Sequence, residues 1–537
     1  VRIDDLQVED VTSVFLRDML AQVDVRDYGA VGDGVTDDTT AFVAANADAQ
    51  GRTVLVPKGV YLLNGDVTFD APTRFEGTVT MQAATPERTS YSTRRVIRNG
   101  QLEAAASGAW DTVIVDSQAT YAPSDARKLT NVLNVANVPV GALVTGGGVG
   151  REIYVRSKNI ATQEITLNAP LFDAAGTQNF SFSRFQYMLD FSNYSSLSKF
   201  VLSDVELQCN NVASAINLAP AGTIFHVRDC FISRPKDRGI TSSGGGCQGM
   251  FVDRCQFLSS EDAMAVSDRK SIAINCNAND VKLRDNRATR FRHFALLGGQ
   301  NNIVTGNHFF QGDTVNNGVR SAGLIIAAQH TASVISGNYV DNCFIEWTNE
   351  QDAAPEYSSE YSFSALSITG NIFLSGEVAP WFSYIVVKPH GAGHVINGLT
   401  INDNRFRSIN GFIDRVERID TSFADMDYSK LRNIEMSGNS FHGISNPVSN
   451  PVQVEHTQAS LAQTWIIDIA DRFPFGAWAI AVDSLTMDGP VRDASNVAQH
   501  TTPYVMTDQG VNRNLFHLVW NASVKGSVFL QARIDKR

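Results

Sequence analysis

Asp237, Asp262 and His293 each stand seven residues beyond a recurring anchor residue, Cys230, Cys255 or Asn286. Two carboxyls and an imidazole along one edge are the groups that cleavage of a glycosidic bond uses. One acid protonates the leaving oxygen, and one base activates water or takes a sugar proton. The same offset gives Asn217 before them and Thr314 after them, then Ile345, Val378, Gly411 and Asn446. The polar run therefore covers consecutive repeats in the middle of the chain and stops. Three readings stay open on these residues alone: catalysis, sugar binding without cleavage, and solvated turn residues on an edge.

The anchors belong to a repeat of apolar, any, apolar, any, any, Asn or Cys, any, apolar. It reads Phe225-His-Val227-Arg-Asp-Cys230-Phe-Ile232, then Met250-Phe-Val252-Asp-Arg-Cys255-Gln-Phe257 and Val281-Lys-Leu283-Arg-Asp-Asn286-Arg-Ala288. Beginning at Asn210 and ending with Asn307, Asn338, Asn371, Asn404 and Asn439, the anchors are spaced by 20, 25, 31, 21, 31, 33, 33 and 35 residues. Such periods are too long for a hairpin meander and fit one coil of a solenoid per repeat. The apolar positions face the interior. Asn turns the corner, because its amide bonds the adjacent backbone and ladders to the Asn of the next coil. The variable spacing implies loops of differing length between constant strands, and binding groups usually sit on such loops.

Length and charge narrow the classes further. A chain of 537 residues exceeds one ordinary compact domain, which an elongated repeat explains. The formal charge of -12 argues against nucleic acid as a partner, since phosphate binding needs a concentrated basic face. No apolar run reaches the ~18 residues of a membrane span, so no membrane insertion is expected. Cys209, Cys230, Cys247, Cys255, Cys276 and Cys343 fit neither zinc spacing nor a disulfide scaffold and are expected as free, buried thiols. No basic-then-apolar export signal is visible at Val1-Arg-Ile-Asp-Asp.

Residues 1–22 place apolar side chains at helical spacing, as an attachment segment would. Next, Val25-Arg-Asp-Tyr-Gly-Ala-Val-Gly-Asp-Gly-Val-Thr-Asp-Asp-Thr-Thr-Ala-Phe42 runs from a strand through a glycine turn into a helix that Asp37 or Asp38 can cap, and Gly51-Arg-Thr-Val-Leu-Val-Pro-Lys-Gly-Val-Tyr-Leu62 returns to strand. This stretch lacks the Lys-Ser/Thr of a phosphate loop. It resembles the N-terminal motif of the pectate lyase superfamily, including polygalacturonase-related proteins and many phage tailspikes. The resemblance implies an all-β, right-handed parallel β-helix whose first coil is plugged by the helix. On that reading residues 23–107 are the cap and first coils and 183–450 the main β-helix. Residues 108–182, with short alternating stretches such as Glu164-Ile-Thr-Leu-Asn168, form a small antiparallel insertion with no evident chemistry. Beyond Pro451 the chain alternates strongly without anchors, which predicts a C-terminal β-sandwich over 451–537, capping the solenoid's open edge or joining three chains.

The polygalacturonase resemblance reaches the residues that spacing singled out. Asp237 lies in Pro-Lys-Asp-Arg-Gly-Ile240, similar to the family's Asn-Thr-Asp-Gly. Glu261-Asp262 resembles its paired aspartates, His293 stands in place of its Gly-His-Gly, and Arg320 in place of its Arg-any-Lys. The resemblance implies Asp262 as general acid, Asp237 and Glu261 positioning or activating water, and His293 and Arg320 orienting the sugar. Pro235, Glu261, Arg292, Phe294 and Ala322 depart from those motifs, and loss of the Lys at Ala322 weakens the case for an acidic sugar. Asn217 and Arg292 join the expected substrate contacts. A second candidate is the acidic, aromatic loop Glu346-Trp347-Thr-Asn-Glu350-Gln-Asp352 with Tyr357 and Tyr361, where rings stack on sugars and carboxylates bond hydroxyls. No compact oxygen-ligand motif supports a metal, and no cofactor is expected.

These features imply a spike or fibre of a phage or phage-like particle, displayed on the particle surface. Its expected partners are a bacterial surface or capsular polysaccharide, which it binds or trims, two further copies in a homotrimer, and an attachment protein reached through the N-terminus. The competing reading is a secreted glycoside hydrolase or lyase of the same superfamily.

Overall fold

Three strands per coil, joined by short corners and longer loops, stack in parallel along the chain in the computed structural model. The structure describes residues 21–536 apart from 70, 82–89, 92–94, 175, 312–319, 359–361 and 377. The expected segment 1–22 therefore falls almost wholly outside the described residues, as do Thr314 and Tyr361.

Among the described residues the first and second sheets each hold 13 strands and the third holds nine, and together they form a right-handed parallel β-helix. The repeat explains the interior. Phe225, Val227 and Ile232, at the apolar positions of one coil, are all buried, as are Val281, Leu283 and Ala288 in another. Asn286, Asn307, Asn338, Asn371 and Asn404 sit at the corner between the first two sheets, at most 2% exposed. Each donates its side-chain amide to the Oδ1 of the next, at 2.9, 2.9, 2.9, 3.0 and 3.1 Å, the last reaching Asn439. That Oδ1 also accepts the backbone N–H of the preceding Asn, so the ladder satisfies buried amides that the corner takes out of the sheets.

The residue before each anchor takes a left-handed conformation: Asp229, Arg254, Asp285, Gly306, Gly337, Gly370, Asp403 and Gly438 all have φ between 50° and 68°. Gly and Asp are the residues that tolerate this region best. In the first of these coils the left-handed residue is Asp204, and strand pairing sets Ser203 beside Arg228. Val205, not Asn210, is therefore the corner equivalent to Cys230. Asn210 follows a second-sheet strand, Glu206–Gln208, and is not an anchor.

At the N-terminal end one helix, α1 (Thr39–Asp48), buries Phe42 and Ala45 over the first coil, with Phe42 edge-on to Tyr61 at 5.6 Å. Asp37 caps it by accepting from the Thr39 N–H at 3.0 Å, while Asp38 holds the glycine turn through the Val31 N–H at 2.7 Å. Between Val113 and Arg184 six antiparallel strands form a separate sheet with its own core of Ala119, Tyr121, Leu129, Phe180 and Phe182.

The C-terminal module is antiparallel, a single five-stranded sheet about the long strand Leu515–Arg533. Its inner face carries Trp465, Phe516 and Trp520 into the core that runs through the β-helix. Its last residues close the solenoid. The Ile434 N–H, on the final strand of the first sheet, donates to Asp535 Oδ2 at 2.8 Å, and Asn450 donates to Asp535 Oδ1 at 2.9 Å. No described helix is long and apolar enough to cross a membrane. All six cysteines are free and buried.

Candidate functional site

The third sheet positions most of the predicted site residues, and its register decides which of them meet. Arg238, Ile272 and His293 share one row on successive coils. Asp237 stands one residue ahead of that row, where its carbonyl accepts the Ile272 N–H at 3.0 Å. Glu261 reaches the same place from a loop, accepting from the backbone amides of Lys270 and Ser271 and from the Ser271 hydroxyl at 2.6 Å. Asp237, Glu261, Arg292 and His293 are thus gathered at the entrance to three neighbouring strands.

Asp262 is not among them. The loop from the second to the third sheet spans 259–271 in this coil, against 234–237 and 290–292 in its neighbours, so Asp262 projects from an exposed turn and Ile272 fills the expected row. Asn217 is displaced too, because its assumed anchor was out of register. It pairs with Asp190 and Thr241 and donates to Asp190 Oδ1 at 2.9 Å. Trp347 points inward, 1% exposed, edge-on to Phe363 and donating its indole N–H to the Ala328 carbonyl, so it offers no face to a sugar. Arg320 donates to the Gly376 carbonyl at 2.6 Å, away from the Asp237 row.

The insertion covers the outer face of this sheet. Arg151 pairs with Glu346 and, through Nε at 2.7 Å, with Glu350, so the acidic loop is neutralised rather than open. Against the burial that would lower it, those two carboxylates hold the Arg151 guanidinium firmly protonated. Glu152 holds Arg238 at 2.7 and 3.1 Å, and Tyr154 donates to Glu152 at 2.5 Å. Close approach requires Gly150, where a Cβ would stand 2.4 Å from the Glu350 carbonyl oxygen. Sequence reasoning missed this dock entirely, since the partners lie 195 residues apart for Arg151 and Glu346.

Electrostatically the gathered residues differ in what they can do. Burial, with Glu261 nearby, raises the Asp237 carboxyl above its usual range despite Arg238, Lys236 and Lys270. No side-chain hydrogen bond from a described residue engages that carboxyl, so it can hold and give a proton. Glu261 cannot act as a free base while its oxygens hold the 270–271 backbone. His293 donates Nδ1–H to the Ala322 carbonyl at 2.6 Å, and burial first, then Arg151, keeps it neutral, well below the ordinary imidazole range. Of the two carboxylates gathered here, Glu261 is engaged by the 270–271 backbone and Asp237 is not. Among the described residues no group of three or more His, Cys, Asp or Glu could hold a metal ion.

His390 shares this behaviour. It is 8% exposed, stacked on Phe423, and pushed down to about 4 by burial, Lys388 and Arg151. An unfolded chain protonates both histidines near pH ~6.5 and the folded chain does not, so the stability they contribute is present above that pH and lost as pH falls toward 4. Denaturant midpoints measured from pH 7.5 to 4.5 should fall less steeply for a His293→Asn, His390→Gln double variant than for the parent. Identical slopes would mean that neither imidazole takes part.

A second place is open. A groove of about 390 Å3 lies where the third sheet turns toward the first, lined by Gln300, Ala328, Gln329 and His330. Gln329 donates to Asp352 at 2.8 Å, and His330 Nδ1 is 2.6 Å from the Ser364 hydroxyl. Trp347 supports Ala328 from inside. Asp352 thus brings one end of the acidic loop to this groove, while Glu346 and Glu350 stay under the insertion. No sequence signal marked Gln300 or Gln329, which sit in loops outside the repeat.

The strand order and register define a parallel β-helix. Residues 22–131 match the family model described as rhamnogalacturonase A/epimerase, pectate lyase-like. Among solved structures it is similar to a mutant tailspike of E. coli bacteriophage HK620 in complex with a hexasaccharide: 12% identity, TM-score 0.46, covering 99% of this chain and 96% of that one. It is also similar to PfbA, a surface adhesin of Streptococcus pneumoniae, at 14% identity and TM-score 0.42, covering 79% and 92%. The tailspike protein gp49 of Pseudomonas phage LKA1 matches at 11% identity and TM-score 0.35, covering 96% and 100%. No curated protein sequence matches the chain.

Proposed function

We propose that this chain is a surface spike that binds a bacterial surface or capsular polysaccharide along the edge of its β-helix. The observation that carries the reading is the groove of about 390 Å3 at Gln300, Gln329 and His330, where the Gln300 amide and the side-chain oxygen of Gln329 can meet sugar hydroxyls beside Asp352. Binding fits the site better than cleavage, because Asp237 has no second free carboxylate in its row. The finer parts of the reading are display on a phage or phage-like particle, attachment through residues 1–22, and a homotrimer. The outer face of the C-terminal sheet supports the last: Ile466 and Met506, which flank His517 from the strands on either side, are exposed on it, as is Tyr504. Such a face is what a second copy covers.

An array of capsular and O-antigen polysaccharides tests the binding. Parent protein should bind at least one, and Gln329→Ala with His330→Ala should lower affinity at least tenfold. Undiminished binding by the double variant would remove the groove from the account. Native mass tests the assembly, since a stable monomer contradicts the spike.

The second reading, a secreted glycoside hydrolase or lyase, rests on Asp237 and its raised carboxyl. New reducing ends or unsaturated products, lost in Asp237→Asn, would establish it.

A further inference from the structure

The insertion carries a groove of its own, remote from the dock. On Val113–Tyr121 the outward residues Asp116 and Gln118 lie opposite Ser181 and Asn179 of Gly176–Arg184, and Ser181 in turn lies opposite Thr145. The other side of the same strands packs Ala119, Phe180 and Phe182 into the insertion's core. These five polar residues line a groove of about 580 Å3, inside the roughly 300–1,000 Å3 range of small-molecule sites. Two strand positions further on, Thr120 and Thr177 bond each other at 2.8 Å. Asp116, Gln118, Thr145, Asn179 and Ser181 have no such partner among the described residues, so their side chains all address the same concave space.

Their chemistry selects an occupant. The two amides each donate and accept, and the hydroxyls do both, which matches the vicinal hydroxyls and N-acetyl groups of a sugar chain. Asp116 is the only charge in the lining, so uronate, sulfate or phosphate groups would meet a carboxylate and no cation. We propose that the insertion holds a second glycan subsite, selective for a neutral or amino-bearing sugar segment. It rests on the polysaccharide reading above but uses different residues and a different module.

The test uses the full chain and, as probes, chitohexaose, its partly deacetylated form, maltohexaose, and a hyaluronan hexamer as the acidic counterpart, together with any polysaccharide found on the array. Hydrogen exchange should show protection at 114–118 and 179–183 with a neutral or amino-bearing probe and none with hyaluronan. Gln118→Leu with Asn179→Leu, both on the outer surface, should weaken that binding at least fivefold while exchange at Ala119 and Phe182 stays as in the parent. Asp116→Lys should raise affinity for the acidic probe. If the array polysaccharide binds, and Gln329→Ala with His330→Ala abolishes that binding, while the insertion shows neither protection nor an effect of its variants, this subsite is overturned and the main reading stands. If no polysaccharide binds the parent at all, both fall.

Discussion

Asn371→Ala should loosen the β-helix on both sides of its coil. The Asn371 Oδ1 accepts the Asn338 backbone N–H and the Asn338 side-chain amide, each at 2.9 Å, and its own amide bonds the Ile335 carbonyl and Asn404. Asn371 is fully buried, so alanine takes these partners from the Asn338 backbone N–H and the Ile335 carbonyl with no water to replace them, while the Asn338 amide keeps only the Val304 and Ser336 carbonyls. An unsatisfied buried polar group costs about 1–3 kcal/mol, and two of them together with the amide's lost bond set the loss at about 3–5 kcal/mol. In a solenoid that loss is local before it is global. Hydrogen exchange at Asn338 and at Tyr339–Asp341 should accelerate by at least a hundredfold, and heat should melt these coils first. Asn433→Gly provides the control, because its bond to Asn397 is exposed and glycine keeps the left-handed φ of 53° without strain, so the change should matter little. Asn371→Cys should fall between, as Cys230 and Cys255 already hold this corner with thiols that bond neighbouring carbonyls. Exchange at Asn338 unchanged from the parent would show that the ladder is not what holds the coils.

Removing Glu152 should undock the insertion. Glu152→Ala leaves the Arg238 guanidinium 5% exposed beneath Phe185, 4.9 Å from the ring centroid, with two backbone carbonyls and no hydrogen-bonded carboxylate. Deleting one partner of a buried ion pair costs about 3–5 kcal/mol, whereas replacing both with apolar groups is often neutral. The single variant should therefore expose residues 150–155 to proteolysis, and Glu152→Leu with Arg238→Met should recover much of the protection. Equal cleavage of both variants would place the docking energy elsewhere, in the Arg151 pairs with Glu346 and Glu350. The insertion's own core should survive in either case, since the docking side chains Arg151, Glu152 and Tyr154 are not among its members.

What the sequence disclosed and what it withheld have one physical cause. Corner residues keep a constant offset from the two short strands that flank them, so apolar, Asn and apolar recur at fixed spacing and the ladder was legible. The position before each anchor, read as open to any residue, is Gly or Asp in seven of the eight coils from Asp229 to Gly438, with Arg254 the exception, and the structure shows it left-handed. The third sheet is different, because a loop of variable length separates it from the corner. Counting seven from Cys255 ended in the long loop 259–271 and not on a strand. Trp347 was read as exposed although Ile345 and Trp347 alternate with Glu346, the pattern of a strand with one inward face. The partner of Glu346 could not be inferred from any local pattern.

The closing role of Asp535 has a consequence in time. The last strand of the first sheet receives its cover from a residue 101 positions later in the chain. At about 5–20 residues per second, a ribosome holds that edge open for roughly 5–20 s after the strand is made. During that interval Arg432–Glu435 is a free template, and a neighbouring nascent chain competes with the protein's own tail for it.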